Sequence, residues 1–163
     1  MQNAIEILLV EDNEGDIFLT RKTFEKGRIA NKFEVAKDGE EALQLLRGEK
    51  PYQHISRPDL IFLDMNLPKI DGKQVLAAVK SDPDLENIPV VILTSSKAEQ
   101  DVLRSYDLHC NAYITKPVTL DKFKDIVSAT ENFWFSIVIL PPAKKIQNNE
   151  EATENYGSIS IPA

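Results

Sequence analysis

Apolar residues fall in five short runs along this chain, and most of the runs stop abruptly at a polar residue. The runs occupy residues 4–10, 33–36, 59–63, 89–93 and 112–114. Unbroken β-branched and leucine stretches such as VVIL and IFL predict strands covered on both faces, as in a parallel sheet. The segments between them carry apolar residues at helical spacing instead. Ile17, Thr20 and Phe24 share a face in the first, and Ala42, Leu45 and Leu46 in the second. Val75, Leu76 and Val79 mark the third, and Val102, Leu103 and Tyr106 the fourth. Phe123, Ile126, Val127 and Thr130 mark the fifth. Helix starts are signposted where Asp38 is followed three residues on by Glu41, Asp71 by Gln74 and Ser96 by Glu99, the spacing of a capping box.

Five βα units with right-handed crossovers place helices on both sheet faces. The expected fold is α/β, a flavodoxin-like doubly wound (βα)5 parallel five-stranded sheet of strand order 2-1-3-4-5, with a C-terminal extension. Two stretches depart from the alternation. Residues 47–58, RGEKPYQHISRP, read as a long surface loop, and His54 within it lacks the partner spacing of a metal ligand. After the fifth helix, NFWFSIVILPP is apolar and the residues beyond it are polar. This divides the chain into a domain over residues 1–131, an apolar extension over 132–142 and a flexible tail over 143–163. The residues after the fifth helix are too few for a DNA-binding output domain.

Composition narrows the function classes. The 163 residues include 42% hydrophobic and 28% charged positions, with a net charge of −7. That is enough apolar material for one core, and the acidic balance argues against non-specific nucleic-acid binding, which needs clustered Lys and Arg. No run approaches the ~20 apolar residues of a membrane span, and the N-terminus lacks a signal-peptide pattern. A cytoplasmic protein is expected. Cys110 stands alone, which rules out an intrachain disulfide and suits a small packed hydrophobe.

The chemistry is concentrated at the run ends. Glu11 and Asp12 follow IEILLV, Asp64 follows DLIFL, Thr94 follows IPVVIL and Lys116 follows AYIT. Parallel strands of an open sheet end on one edge, where ligands bind, so these residues should converge. Three carboxylates in one place repel until one is protonated or a cation binds. Oxygen ligands with room for water favour Mg²⁺ together with a phosphoryl group. Asp64, ending the central strand, is placed to attack phosphorus and form an aspartyl phosphate. Lys116 offers a point charge for the phosphoryl oxygens and Thr94 a hydroxyl donor that can move toward them. Lys116 precedes Pro117, where a cis peptide bond is accessible.

With LLVEDN, DLIFLDMNLPKIDG, IPVVILTSS and AYITKP, the chain from Ile5 to Thr130 resembles the receiver domain of two-component response regulators, the CheY-like family. The resemblance implies that Asp64 accepts a phosphoryl group from a histidine kinase in a Mg²⁺-dependent reaction, with Mn²⁺ able to substitute. It implies that Asp12 holds the metal directly, Glu11 through water, and Asp64 and the main-chain carbonyl of Asn66 as further ligands. Thr94 and Lys116 take the phosphate-sensing roles, and Tyr113 matches the family's aromatic switch. Asn66 and Ser96 occupy the positions that tune phosphate lifetime.

The long loop, the SYDLHCNAYITKP segment and the ENFWFSIVILPP extension are similar to those of stand-alone regulators paired with bacterial, especially cyanobacterial, phytochrome kinases. Such regulators form homodimers through the face of the fourth helix, fifth strand and fifth helix together with the extension. Here Phe133, Trp134, Phe135, Ile137 and Ile139 would supply an apolar patch. The alternative is an extension that folds back onto its own domain.

Three functions compete. The first is a phosphorylation switch. The second is a Mg²⁺-dependent phosphatase with an aspartyl nucleophile, which resembles a D-x-D pattern whose second acid moves protons. In this chain that position is Asn66, which cannot shuttle a proton. The third is a receiver that has lost phosphorylation and only binds, against which the complete set of acids, threonine and lysine weighs. The expectation is a switch and not an enzyme.

Overall fold

A computed structural model of the chain describes residues 4–27, 31–106, 108–110 and 112–129. In order, the elements are β1 (Ile5–Val10), α1 (Glu14–Lys26), β2 (Asn31–Ala36), α2 (Gly39–Leu46) and β3 (Leu60–Asp64). They continue with α3 (Gly72–Ser81), β4 (Val90–Thr94), α4 (Lys97–Arg104), β5 (Ala112–Thr115) and α5 (Leu120–Ala129). The strands form one parallel sheet in the order β2-β1-β3-β4-β5, the expected doubly wound topology. The expected extension, residues 132–142 with Phe133, Trp134, Phe135, Ile137 and Ile139, and the tail at 143–163 lie outside the described residues.

Every residue of β3 and β4 is buried, which is why these segments read as continuous apolar runs rather than alternating ones. Edge strand β2 alternates between half-buried and exposed positions until Ala36. Successive side chains point to opposite faces, so the sheet divides the interior in two. Ile5, Ile7 and Leu9 of β1, Leu60 and Phe62 of β3, and Val91 and Leu93 of β4 pack with Ile17 and Phe24 of α1 and Phe123 of α5. Leu8 and Val10, Ile61 and Leu63, and Val90 and Ile92 pack instead under α2, α3 and Leu103 of α4. On the first face Phe24 sits with its ring centroid 5.4 Å from Phe33, 5.8 Å from Phe62 and 5.1 Å from Phe123, edge-on or tilted as aromatic quadrupoles prefer.

The helices start where the side-chain acceptors are. Asp38, Asp71 and Ser96 accept from the backbone N–H three residues on, and Asn13 does the same for α1 from Asp16. The full reciprocal box forms at Asp71, where Gln74 Oε1 accepts from the Asp71 N–H (3.1 Å). Glu41 and Glu99 reach one residue further back, to the Lys37 and Ser95 N–H groups (2.8 and 2.6 Å). Gly72 opens α3 against the end of β3. A Cβ there would lie 2.6 Å from both the Asp64 carbonyl oxygen and Met65 Cα, so only glycine permits this approach.

The apolar face expected for the fourth helix is corrected. Leu103 is buried, but Val102 and Tyr106 are 55% and 57% exposed, and Gln100 turns inward. Gln100 and Leu103 are three residues apart and share a face, whereas Val102 lies about 100° around the helix from Leu103. Tyr106 falls beyond the last helical residue, Arg104. Gln100 is accommodated inside because its Oε1 accepts from Thr115 Oγ1 (3.1 Å), which satisfies a polar group that would otherwise be costly to bury. The strand ends also move by a residue: Asp64, Thr94 and Thr115 are the last strand positions.

Candidate functional site

Strand register builds the site. Val10 stands beside Leu63, so Glu11 follows at the level of Asp64. Asp64 pairs with Leu93, the residue before Thr94, and Thr94 pairs with Thr115, the residue before Lys116. Four segments far apart in sequence thus end together. The Lys116 N–H donates to the Thr94 carbonyl (2.8 Å), extending the ladder one step past the strand, and the Lys116–Pro117 bond is cis.

Lys116 Nζ is the centre of charge. It lies 2.9 Å from Asp16 Oδ2, 3.1 Å from Glu11 Oε1 and 3.6 Å from Asp64 Oδ2. Glu11 and Asp64 are 1% and 3% exposed, while Asp12 is exposed. Glu11 Oε2 also accepts from the Asn13 N–H (3.2 Å), and Asp64 Oδ1 from the Asn66 N–H (3.3 Å). One ammonium therefore serves three carboxylates, and the consequence is visible at Glu11. Burial and then the negative charge of Asp64 push its carboxyl up to about 7, against the hydrogen bonds from Lys116 and Asn13. For Lys116 burial acts to lower the pKa, but hydrogen bonds to Asp16 and Glu11 and the charge of Asp64 overcome it and raise the group above its ordinary value.

The donor set fits a divalent cation. Oxygen atoms of Glu11, Asp12 and Asp64 lie within 4.8 Å of one another, the one such acidic cluster among the described residues. Hard oxygen ligands at a partly open edge suit Mg²⁺ or Mn²⁺, with waters completing the shell. The exposed side of this cluster is Asp12, so an ion can enter there.

Around this centre lie the residues expected to act as the switch. Thr94 is buried, and its hydroxyl donates to the Ile114 carbonyl at 3.4 Å, a long bond that is easily given up. Tyr113 is half-buried and packs against the core beneath α2, α3 and α4, with the Arg104 guanidinium 4.5 Å from its ring centroid. Ser96 is occupied as the cap of α4, accepting from the Glu99 N–H (3.1 Å). The Asn66 side chain donates to Glu99 Oε2 (3.0 Å). His54 lies in the long loop, lining a cavity of about 130 Å³ near Glu6 and Lys32, away from the acidic cluster. Cys110 is half-buried against the core; burial pushes its thiol up.

Two residues of the site escape a reading of the sequence. Asp16 makes the shortest contact to Lys116, across 100 positions; its signal is an acid one turn after Asp12 at the start of α1. Glu99 was legible as a capping residue, but its bond to Asn66 spans 33 positions and has no local signature.

Comparison with known proteins agrees with this geometry. A family model described as the response regulator receiver domain matches residues 7–128. Response regulator Rcp1 of Synechocystis sp. is 44% identical over 137 residues, which cover 84% of this chain and 93% of Rcp1. The Mn²⁺-bound form of Rcp1 superposes with a TM-score of 0.65 at 43% identity, over 84% of this chain and 99% of its own. The bacteriophytochrome response regulator AtBRR gives a TM-score of 0.76 at 42% identity, over 85% and 99% of the two chains. The phosphorylated cyanobacterial phytochrome response regulator RcpA gives 0.67 at 47% identity, again over 85% and 99%.

Proposed function

This chain belongs to the response regulator receiver domain family, and from that premise we propose that it is a phosphorylation switch whose acceptor is Asp64. The observation that carries the reading is Asp64 at the end of the central strand, with Lys116 Nζ 3.6 Å away and Glu11 and Asp12 beside it. An Asp64 carboxylate oxygen attacks the phosphorus of a phosphohistidine. The N–P bond breaks, its electron pair stays on the imidazole nitrogen, and that nitrogen takes up a proton from solvent. Lys116 neutralises the phosphoryl oxygens as charge builds on them. The Thr94 hydroxyl leaves Ile114 for a phosphoryl oxygen, and Tyr113 follows the space that Thr94 vacates.

Glu11, Asp12, Asp64 and the Asn66 main-chain carbonyl would hold a Mg²⁺ or Mn²⁺ ion, which when bound supplies charge neutralisation between acceptor and phosphoryl group. The relative crystallised with Mn²⁺ supports this choice of metal.

The donor is a sensor histidine kinase, and the phytochrome response regulators among the relatives support one of phytochrome type. Phe18 and Leu19, 59% and 47% exposed on α1, supply an apolar surface for its docking. We assign residues 1–131 to the receiver, residues 132–142 to a homodimer contact through Phe133, Trp134 and Phe135, and residues 143–163 to a tail. The protein works in the cytoplasm as a switch and not as a turnover enzyme. Asn66 supports that view, since its amide donates to Glu99 and is neither acid nor base near neutral pH.

The test is direct. The protein is incubated with Mg²⁺ and acetyl phosphate and weighed intact: one added phosphoryl group is expected, lost in Asp64→Asn. A wild type that takes no label would sink the acceptor role, and rapid multiple turnover of phosphate esters would favour a phosphatase. For the dimer, Trp134→Ala combined with Phe135→Ala should lower the sedimenting mass; an unchanged mass counts against that contact.

A further inference from the structure

One carboxylate on α4 ties together the two loops that flank Asp64. Glu99 Oε1 accepts from both the N–H (2.6 Å) and the hydroxyl (3.1 Å) of Ser95, and Oε2 accepts from the Asn66 side-chain amide (3.0 Å). Ser95 directly follows Thr94. Asn66 lies two residues past Asp64, whose Oδ1 accepts from its N–H. The bond to the Ser95 N–H is short and charge-assisted, the strong class of hydrogen bond. Ser95 is joined to Thr94 through the main chain, so a shift of the Thr94 backbone toward a phosphoryl oxygen would draw Ser95 away from Glu99.

Glu99 also belongs to the electrostatics of the site. Burial acts to raise its carboxyl, yet the hydrogen bonds from Ser95 and Asn66 and the charge of Lys116 leave it below its ordinary range. Its carboxylate is close enough to the site to feel the charge of Lys116.

We infer that Glu99 is a positioning residue that clamps the two loops in the unphosphorylated arrangement and thereby slows phosphoryl acquisition at Asp64. The inference rests on the acceptor role proposed above and adds its regulation. A restraint of this kind lowers the population of the competent state, so releasing it raises the rate by the same factor.

The experiment compares the full chain as wild type, Glu99→Ala, Glu99→Gln and Ala98→Gly, each with Mg²⁺ and acetyl phosphate. Initial labelling rates are read by intact mass and folding by thermal melts. Glu99→Ala should label about fivefold faster than wild type. Glu99→Gln, which keeps a carbonyl acceptor but loses the charge, should fall between the two. Ala98→Gly loosens the same helix at an exposed position outside the clamp and should label at the wild-type rate. A Glu99→Ala rate at or below wild type overturns the inference. So does equal acceleration in Ala98→Gly, which would mean simple loosening of α4. If Glu99→Ala melts below the assay temperature, Glu99→Gln decides on the same terms. A wild type that takes no label sinks the acceptor role and this inference with it, whereas a labelled wild type with unchanged variants sinks the inference alone.

Discussion

At the scale of single residues, the site is a problem of too many carboxylates and one ammonium. Lys116 holds Glu11, Asp16 and Asp64 within reach of one another, and removing it exposes their mutual repulsion. Lys116→Ala should lower the labelling rate at Asp64 by about 10²-fold, the usual loss when one preorganised stabilising group is deleted. The same repulsion predicts the opposite sign for Glu11→Gln. In buffer with a chelator this variant should melt above the wild type, because a buried like charge is gone. Adding Mg²⁺ should raise the wild-type melting temperature by binding the folded state alone, and raise that of Glu11→Gln less. Equal metal stabilisation of both proteins would count against Glu11 as part of the metal site. The acids at the strand ends were legible in the sequence because each interrupts an apolar run. Asp16 was not, and Glu99 was legible only as a capping residue, since what matters about both in the site is a partner brought in by the fold.

At the scale of elements, caps and close approaches fix where each site residue sits. The Asp71 capping box starts α3 a few residues after Asp64. Asp71→Ala should cost about 1 kcal/mol in denaturant unfolding, the usual worth of an N-cap. Gly72→Ala should cost more, about 1–3 kcal/mol for an overpacked contact, and should also slow labelling, because the added methyl meets the Asp64 carbonyl. A Gly72→Ala variant as stable and as reactive as wild type would contradict that packing. Strand and helix order were readable from period alone, and the faces of the first three helices came out as spaced. The face of α4 did not, because the buried position is the polar Gln100. Its burial depends on the Thr115 hydroxyl, a tertiary partner that hydropathy cannot register.

At the scale of the whole molecule, the order β2-β1-β3-β4-β5 turns a linear pattern of run ends into a single pocket. The sequence supported that order through the βα alternation, but the one-residue alignment that levels Glu11 with Asp64 is a property of the paired sheet. The division of the interior by the sheet has a spectroscopic consequence. Asn66, Glu99 and the ring of Tyr113 belong to the side of α3 and α4, while the four clustered phenylalanines belong to the side of α1 and α5. Ring currents from those phenylalanines displace the methyl resonances of their neighbours, giving the protein an internal chemical-shift standard. On phosphorylation the methyl signals of Ile7 and Val91 should hold their positions while those of Val102 and Leu103 move. A single spectrum then separates switching on one side from a change of the whole fold.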